Sequence, residues 1–191
     1  MQASVTELRS WLLDEVDDTR GRLSTQVLDL VAPERWGDRP GGGSSITWNL
    51  LHIARHAGLA LSVLTGELTE TVAQLDRPPF LATAGGGGLE EAEQPWCGDL
   101  PPLLVETHLN AVLDEVRSYL AEVPLERLEQ YPEVRGSLEL AGIAPDRFGW
   151  LWQMWEGRPA SFLVRWPLIG HVGNHVGEML ATRNRLGLSP F

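Results

Sequence analysis

Two pairs of histidines with helical spacing are the residues of this sequence best suited to chemistry. His52 and His56 stand in HIARH, and His171 and His175 stand in HVGNH. Side chains four residues apart lie one turn apart on the same face of a helix, so both imidazoles of a pair can reach one metal ion. The chain has 5 histidines, and these two pairs include all but one of them. The two pairs together predict a metal site, although the first pair alone is more typical of hydrogen-bonded core histidines.

The second pair lies in a segment with the periodicity of an amphipathic helix. Leu168, Val172 and Met179 recur on one stripe, and both histidines interleave with them, so we expect the imidazoles to face the core. Burying two unpaired imidazoles costs roughly 1 to 3 kcal/mol each, and a metal ion bound through both removes that cost. Gly173 and Gly177 lower helix stability by about 1 kcal/mol each relative to Ala. Close helix approach, room for a bound molecule and plain tight packing each explain these glycines.

The residues around the histidines exclude two kinds of metal chemistry. A helical di-iron site needs a Glu three residues before a histidine, and no histidine here has one. A zinc protease needs a Glu directly after the first histidine of the pair, and Val172 follows His171. The remaining interpretation is an all-histidine site with three ligands and an open coordination position. Such a site suits zinc, nickel or another borderline divalent ion.

Four segments with helical periodicity supply the elements that must position these residues. They predict an all-α fold, a four-helix bundle with long crossover connections, in a single domain over residues 1–191. Ser44 or Ser45 can cap the second helix, and Pro167 suits the first turn of the last one. The predicted helices span approximately residues 4–31, 46–66, 100–123 and 167–187.

Two long connections, residues 68–98 and 124–166, separate the predicted helices. Loops of this length are uncommon unless they serve a purpose, such as covering a site. In the second connection FGWLWQMWEGRP can form a short helix. The tryptophans of this region can line a pocket or an interface, but core packing is their expected role. They are Trp150, Trp152, Trp155 and Trp166.

Composition narrows the classes of function. The chain has 191 residues, 43% of them hydrophobic, with a net charge of -11 and no lysine. This charge disfavours nucleic acid and anionic membranes as partners, and the absence of lysine excludes lysine chemistry. No apolar run can span a bilayer and the N-terminus has no signal-like core, so we expect a cytoplasmic protein. The single cysteine, Cys97, is expected in a loop as a solvent-facing or loosely packed thiol.

With these residues laid out, the chain resembles the DinB family of metal-binding four-helix bundles. This superfamily also holds the N-terminal domain of mycothiol-dependent maleylpyruvate isomerase. The family pattern is Trp-x-x-x-His on the second helix, and His-x-x-x-His on the last helix followed by x-Gly-Gln or x-Gly-Glu and a later Arg. The matching residues here are Trp48, His52, Ile53 and Ala54, then His171, His175, Gly177, Glu178 and Arg183.

The resemblance implies that His52, His171 and His175 are the three metal ligands. His56 has no fixed counterpart in the pattern. We expect it at the surface or behind the ligands, with an alternative ligand as a further option. Glu178 takes the place of a common Gln, so the pattern predicts no role for it. His108, the fifth histidine, is expected to be solvated.

The resemblance also implies a class of function. The family includes transferases that use a low-molecular-weight thiol such as mycothiol, bacillithiol or glutathione. A metal with an open position holds the thiol as a thiolate, which attacks an electrophile. The first hypothesis is therefore a metal-dependent thiol S-transferase or isomerase, active without a cysteine of its own. A metal-water hydrolase and a non-catalytic metal- or ligand-binding bundle are the alternatives. Because the family is often dimeric, a homodimer is expected.

Overall fold

The computed structural model describes residues 5–74, 88–90 and 94–189, and every regular element in these ranges is helical. This confirms the all-α prediction for the described part of the chain. The α-helices are α1 (Val5–Leu23), α2 (Ile46–Thr65), α3 (Glu70–Gln74), α4 (Gln94–Cys97), α5 (Pro102–Glu122), α6 (Val134–Leu140), α7 (Pro145–Trp155), α8 (Ala160–Leu163) and α9 (His171–Arg185). Two π-helical segments cover Ser24–Leu28 and Val164–Gly170, and two 3-10 turns cover Pro33–Arg35 and Leu125–Glu129.

The long helices pack pairwise around one hydrophobic core. α2 lies against α5 and α9, and α1 lies against the same two helices from the other side. α2 is the most enclosed, with 18 of its 20 residues buried. None of the helices among the described residues combines the length and the apolar character needed to cross a membrane.

The limits of α2 agree with the prediction because its caps are encoded locally. The Ser45 hydroxyl accepts a hydrogen bond from the Trp48 N–H at 3.1 Å, which satisfies one of the free donors of the first turn. Gly66 ends the helix with a φ of 77°, a left-handed conformation that glycine adopts without steric cost. The third predicted helix, α5, starts two residues later than expected, at Pro102.

The first and last predicted helices need correction. α1 ends as an α-helix at Leu23, and the chain continues as a π-helical turn to Leu28, short of residue 31. The last helix does not begin at Pro167, because the helical path already runs from Ala160 and Pro167 lies inside its π-helical segment. Proline has no N–H to donate, so the turn around it widens. The His171 N–H then donates to the Trp166 carbonyl, five residues back.

The two predicted connections contain more helix than the sequence suggested. The short helix expected around FGWLWQMWEGRP is confirmed as α7, and α6 precedes it. The first connection contributes α3 and α4, while residues 75–87 and 91–93 of it lie outside the described residues. Residue 4 of the first predicted helix lies outside them as well.

Candidate metal centre

α2 and α9 bring the three predicted ligands to one point. His52 comes from α2, and His171 and His175 stand one turn apart on α9. One ring nitrogen from each lies within 4.8 Å of the other two. The Nε2 atom of His171 is 3.2 Å from Nε2 of His52 and 3.1 Å from Nε2 of His175. His52 and His171 are buried, and the side chain of His175 is 12% exposed.

These distances fit the coordination of a divalent ion. With metal–nitrogen bonds of about 2.0 to 2.1 Å, two ligand nitrogens are roughly 3.3 Å apart in a tetrahedron and roughly 2.9 Å apart on an octahedral face. The separations of 3.1 and 3.2 Å from Nε2 of His171 lie between the two values, and the ligand nitrogens of His52 and His175 lie within 4.8 Å of each other. The three histidines can therefore hold a metal ion through Nε2.

Hydrogen bonds at the opposite ring nitrogens orient two of the three imidazoles. Nδ1 of His52 is 2.8 Å from the Gly88 carbonyl oxygen. Nδ1 of His175 is 2.7 Å from Oδ1 of Asn49, and the Asn49 amide nitrogen in turn donates to the Ser45 carbonyl at 2.9 Å. Because both acceptors lack a proton to give, each histidine carries its proton on Nδ1. The Nε2 lone pairs are left free for a metal.

Burial keeps these histidines neutral. Burial first and the neighbouring charge of His175 second lower the pKa of His52 to about 4, while the hydrogen bond to the Gly88 carbonyl opposes them. Burial, followed by the charges of His52 and His175, lowers the pKa of His171 to about 3. Burial also lowers the pKa of His175 to about 4. A metal ion at neutral pH would therefore not compete with protons for these nitrogens.

His56 is not at the surface, so that part of the expectation is wrong. It is 2% exposed, and its ring centroid lies 4.3 Å from that of His171 and 4.9 Å from that of His52. Its nitrogens do not belong to the set that lies mutually within 4.8 Å. Burial, with the charges of the other three histidines, lowers its pKa well below the ordinary value. His56 is thus a neutral fourth imidazole beside the ligands.

Indole rings enclose the histidine cluster. The Trp48 ring stacks on His52 with centroids 4.4 Å apart, and Trp166 meets His171 edge-on at 5.7 Å. From α7, Trp155 meets His56 edge-on and Trp150 lies nearly parallel to it, both at 5.7 Å. Core packing, the expected role, holds for Trp152 and Trp155, whereas Trp166 is partly exposed and Trp150 is 40% exposed. The aromatic walls give the cluster a low-dielectric surrounding on several sides.

Two further predictions about single residues are wrong. His108 is buried rather than solvated, because it lies one turn from Val105 and Val112 on the inward stripe of α5. Burial and the charge of Arg55 lower the pKa of His108 to about 4. Cys97 is fully buried at the end of α4 rather than solvent-facing. It lies outside the group of converging ligand nitrogens.

The motif residues that follow the histidines divide into two kinds. Glu178 contacts the site, since one of its carboxylate oxygens lies 3.2 Å from Nδ1 of His175. Arg183 is structural, because its buried guanidinium donates to the Gln26 carbonyl in the turn after α1. At Gly173 and Gly177 an added Cβ would meet no neighbouring atom of the described residues within 4 Å, so close approach or tight packing by the described helices does not explain these glycines.

Asn49 and Gly88 are the site residues that sequence reasoning missed. Asn49 had a usable signal, a polar residue three positions before His52 on a largely apolar helix. Gly88 had none, because it contributes a backbone carbonyl, which every residue type has. The position does require glycine: its φ is 92°, and a Cβ there would lie 2.8 Å from Cγ of Leu51.

Open cavities of about 200 and 270 Å³ lie at the other end of α2, away from the histidines. They share Tyr131, Pro132 and Glu133 and bring together no set of residues with evident chemistry. Comparisons of the chain with protein-family models, with curated proteins and with solved structures found no match. The histidine cluster is therefore the main guide to function.

Proposed function

We propose that this chain is a DinB-like four-helix bundle that binds one divalent metal ion, zinc or nickel, through His52, His171 and His175. The observation that carries the proposal is the convergence of one ring nitrogen from each of three histidines on two helices, with Nε2 of His171 next to Nε2 of both others. The mutual packing of α1, α2, α5 and α9 supports the bundle. In this proposal the connections between α2 and α5, and between α5 and α9, are the long crossovers of the bundle.

The activity we propose is that of a metal-dependent thiol S-transferase or isomerase, with mycothiol, bacillithiol or glutathione as the thiol. A bound divalent ion with an open position supplies a Lewis acid that favours the thiolate form of such a thiol at neutral pH. Three neutral imidazoles leave the double charge of the ion uncompensated, which favours an anionic incoming ligand. The chain has one cysteine, and it is buried outside the cluster, so the thiol must come from a second molecule.

The surrounding residues have definable tasks in this proposal. Gly88 and Asn49 hold two ligand rings with their lone pairs directed inward. The indoles of Trp48, Trp150 and Trp166 exclude water and offer flat apolar walls to the organic part of an electrophile. The proposed setting is the cytoplasm, and the proposed assembly is a homodimer, which light scattering of the purified protein tests.

Metal analysis combined with a thiol screen tests the activity. We expect about one divalent ion per chain after purification without chelators, and consumption of monochlorobimane that depends on added thiol and is lost in His171→Ala. His108→Phe is the matched control, since it removes a buried histidine that is not in the cluster. Turnover of an activated ester without thiol would instead indicate a hydrolase. Metal without either activity would indicate a binding bundle, and a chain without metal would contradict all three.

A further inference from the structure

The histidine cluster contains two buried nitrogens that no hydrogen bond from the described residues satisfies. Nδ1 of His56 and Nδ1 of His171 have no partner among the described residues. Leaving one such polar atom buried and unpaired costs roughly 1 to 3 kcal/mol. The two atoms belong to neighbouring rings, with centroids 4.3 Å apart and planes inclined by 30°. Two adjacent unsatisfied atoms of this kind call for a common explanation.

The three proposed ligands differ in what supports them from behind. His52 has the Gly88 carbonyl and His175 has Asn49, whereas His171 has no acceptor at Nδ1 among the described residues. A neutral histidine that binds metal through Nε2 carries its proton on Nδ1. Such a ligand almost always donates that N–H to an acceptor, which fixes its orientation. The Nδ1–H of His171 therefore needs an acceptor close to its own ring.

Four described rings contact His171, and they differ in what they can accept. The rings are those of His52, His56, Trp166 and His175. An indole has a donor N–H and no acceptor. His52 and His175 direct their Nε2 lone pairs at the metal position, and their Nδ1 atoms donate elsewhere. This leaves His56. Among the described rings that contact His171, it is the one with a buried nitrogen, Nδ1, that makes no hydrogen bond to the described residues and can accept one.

We propose that His56 is a positioning residue that accepts a hydrogen bond from Nδ1–H of His171 when the metal is bound. The inference rests on the proposed metal site and adds a role for the fourth histidine. The inclination of 30° between the rings means that the His56 ring must turn about its Cβ–Cγ bond to present its nitrogen edge. One hydrogen bond then satisfies both buried atoms.

The neighbours of His56 limit how it can turn. Trp155 meets the ring edge-on and Trp150 lies nearly parallel to it, so the imidazole is confined between two indoles of α7. α7 therefore takes part in positioning a metal ligand, although it carries none. The second long connection therefore helps to position the metal site through α7, a role that the sequence alone does not indicate.

Zinc affinity of matched variants tests the proposal. His56→Phe keeps a ring of similar size without an acceptor, and His56→Asn places an amide oxygen near the position of Nδ1. We expect His56→Phe to weaken zinc binding about 10- to 100-fold in chelator competition at pH 7.5, whereas His56→Asn recovers most of the loss. His108→Phe should bind zinc like the original chain. Thermal unfolding of the metal-free variants shows which of them are folded.

A spectroscopic measurement distinguishes positioning from packing. In the zinc-loaded chain with ¹⁵N-labelled histidine, we expect a protonated Nδ1 on His171 that is hydrogen-bonded to an unprotonated nitrogen of His56. Unchanged zinc affinity in His56→Phe, equal losses in the Phe and Asn variants, or a His171 Nδ1–H without this bond would each overturn the role of His56 and leave the metal site intact. If the original chain binds no zinc or nickel, both proposals are wrong. Should His56→Phe not fold, the Asn variant and the spectrum of the original chain decide.

Discussion

α2 and α9 carry the same His-x-x-x-His spacing in very different surroundings. Of the 20 residues of α2, 18 are buried, whereas α9 buries 6 of its 15. On α2 nearly any side chain is buried wherever it points, so the burial of His56 does not by itself indicate a ligand. α9 has one face exposed to solvent and one face towards the core, and both histidines lie on the face towards the core. Equal spacing therefore has a different meaning on an enclosed helix and on an amphipathic one.

A second difference lies in how each pair is aligned. α2 is a regular helix from its Ser45 cap onward, so His52 and His56 follow from the α-helical period alone. α9 follows a π-helical segment that contains Pro167 and ends directly before His171. A π-helical turn holds an extra residue, which rotates the following helix relative to the preceding one. The direction of His171 and His175 is thus set by a local irregularity that often accompanies functional sites.

The largest effect should come from acid, because four of the five histidines are buried and the side chain of the fifth, His175, is only 12% exposed. Burial lowers the pKa from 6.5 to about 4 in His52, His108 and His175, to about 3 in His171, and well below 6.5 in His56. The unfolded chain therefore binds more protons than the folded one below pH 6.5, and stability falls as pH falls through this window. For the metal-free protein we expect a loss on the order of 5 kcal/mol between pH 7 and 5, measured by urea unfolding.

The acid effect also compares the helices. His108→Phe should reduce the loss of stability between pH 7 and 5 by the contribution of one histidine. It should leave the metal content of the purified protein unchanged. A profile that stays level down to pH 5 would contradict the burial of these imidazoles.

Removing a ligand from the amphipathic helix should have the next largest effect. We expect His171→Phe to reduce zinc affinity by roughly a thousandfold or more, because the ion loses one of three protein ligands. On α2, His56→Phe should reduce zinc affinity far less. The two variants therefore distinguish a ligand, His171, from the neighbouring ring of His56. Isothermal titration with zinc measures both. Equal losses would mean that the two pairs are equivalent after all.

The support of His175 by α2 should be weaker but measurable. Asn49→Leu removes the acceptor of His175 Nδ1–H, and we expect about a 10- to 100-fold loss of zinc affinity. Asn49→Asp keeps an acceptor and should retain most of the zinc affinity, although the loss of the amide donor to the Ser45 carbonyl should lower the stability of the protein. Glu178→Gln should change little, since its side chain is 51% exposed and its interaction with His175 is screened by solvent. If Glu178→Gln is the more damaging change, the carboxylate rather than the amide orients the ring.

Glycine substitutions should give the smallest effects and opposite signs on the two helices. On α9, Gly173→Ala and Gly177→Ala should each stabilise the protein by up to about 1 kcal/mol, because the new Cβ meets no neighbouring atom within 4 Å in the part of the chain that the structure describes. On α2, Gly58→Ala should destabilise it by about 1 to 3 kcal/mol, since the Cβ would lie 2.8 Å from Cγ2 of Val72. Thermal unfolding measures the stabilities. Loss of zinc by Gly173→Ala would show that this glycine leaves room for a bound molecule.

The sequence by itself determined the helical class, the caps of α2 and the two histidine pairs. These features depend on residues within one or two turns of each other, where period and capping rules act. The same local reasoning failed at Pro167, because the sequence does not distinguish a proline inside a helix from one in its first turn. It also failed at His108, which lies on the inward stripe of α5.

Tertiary structure decided which histidines converge and what holds them. The Gly88 carbonyl reaches His52 across 36 residues of sequence, and Asn49 reaches His175 across 126. No period or spacing predicts such contacts, because they exist only once α2 packs against α9 and residues 88–90 lie beside α2. A backbone carbonyl acceptor cannot be recognised from the residue type, because every residue has one. The ligands can therefore be proposed from the sequence, whereas their orientation is a property of the folded chain.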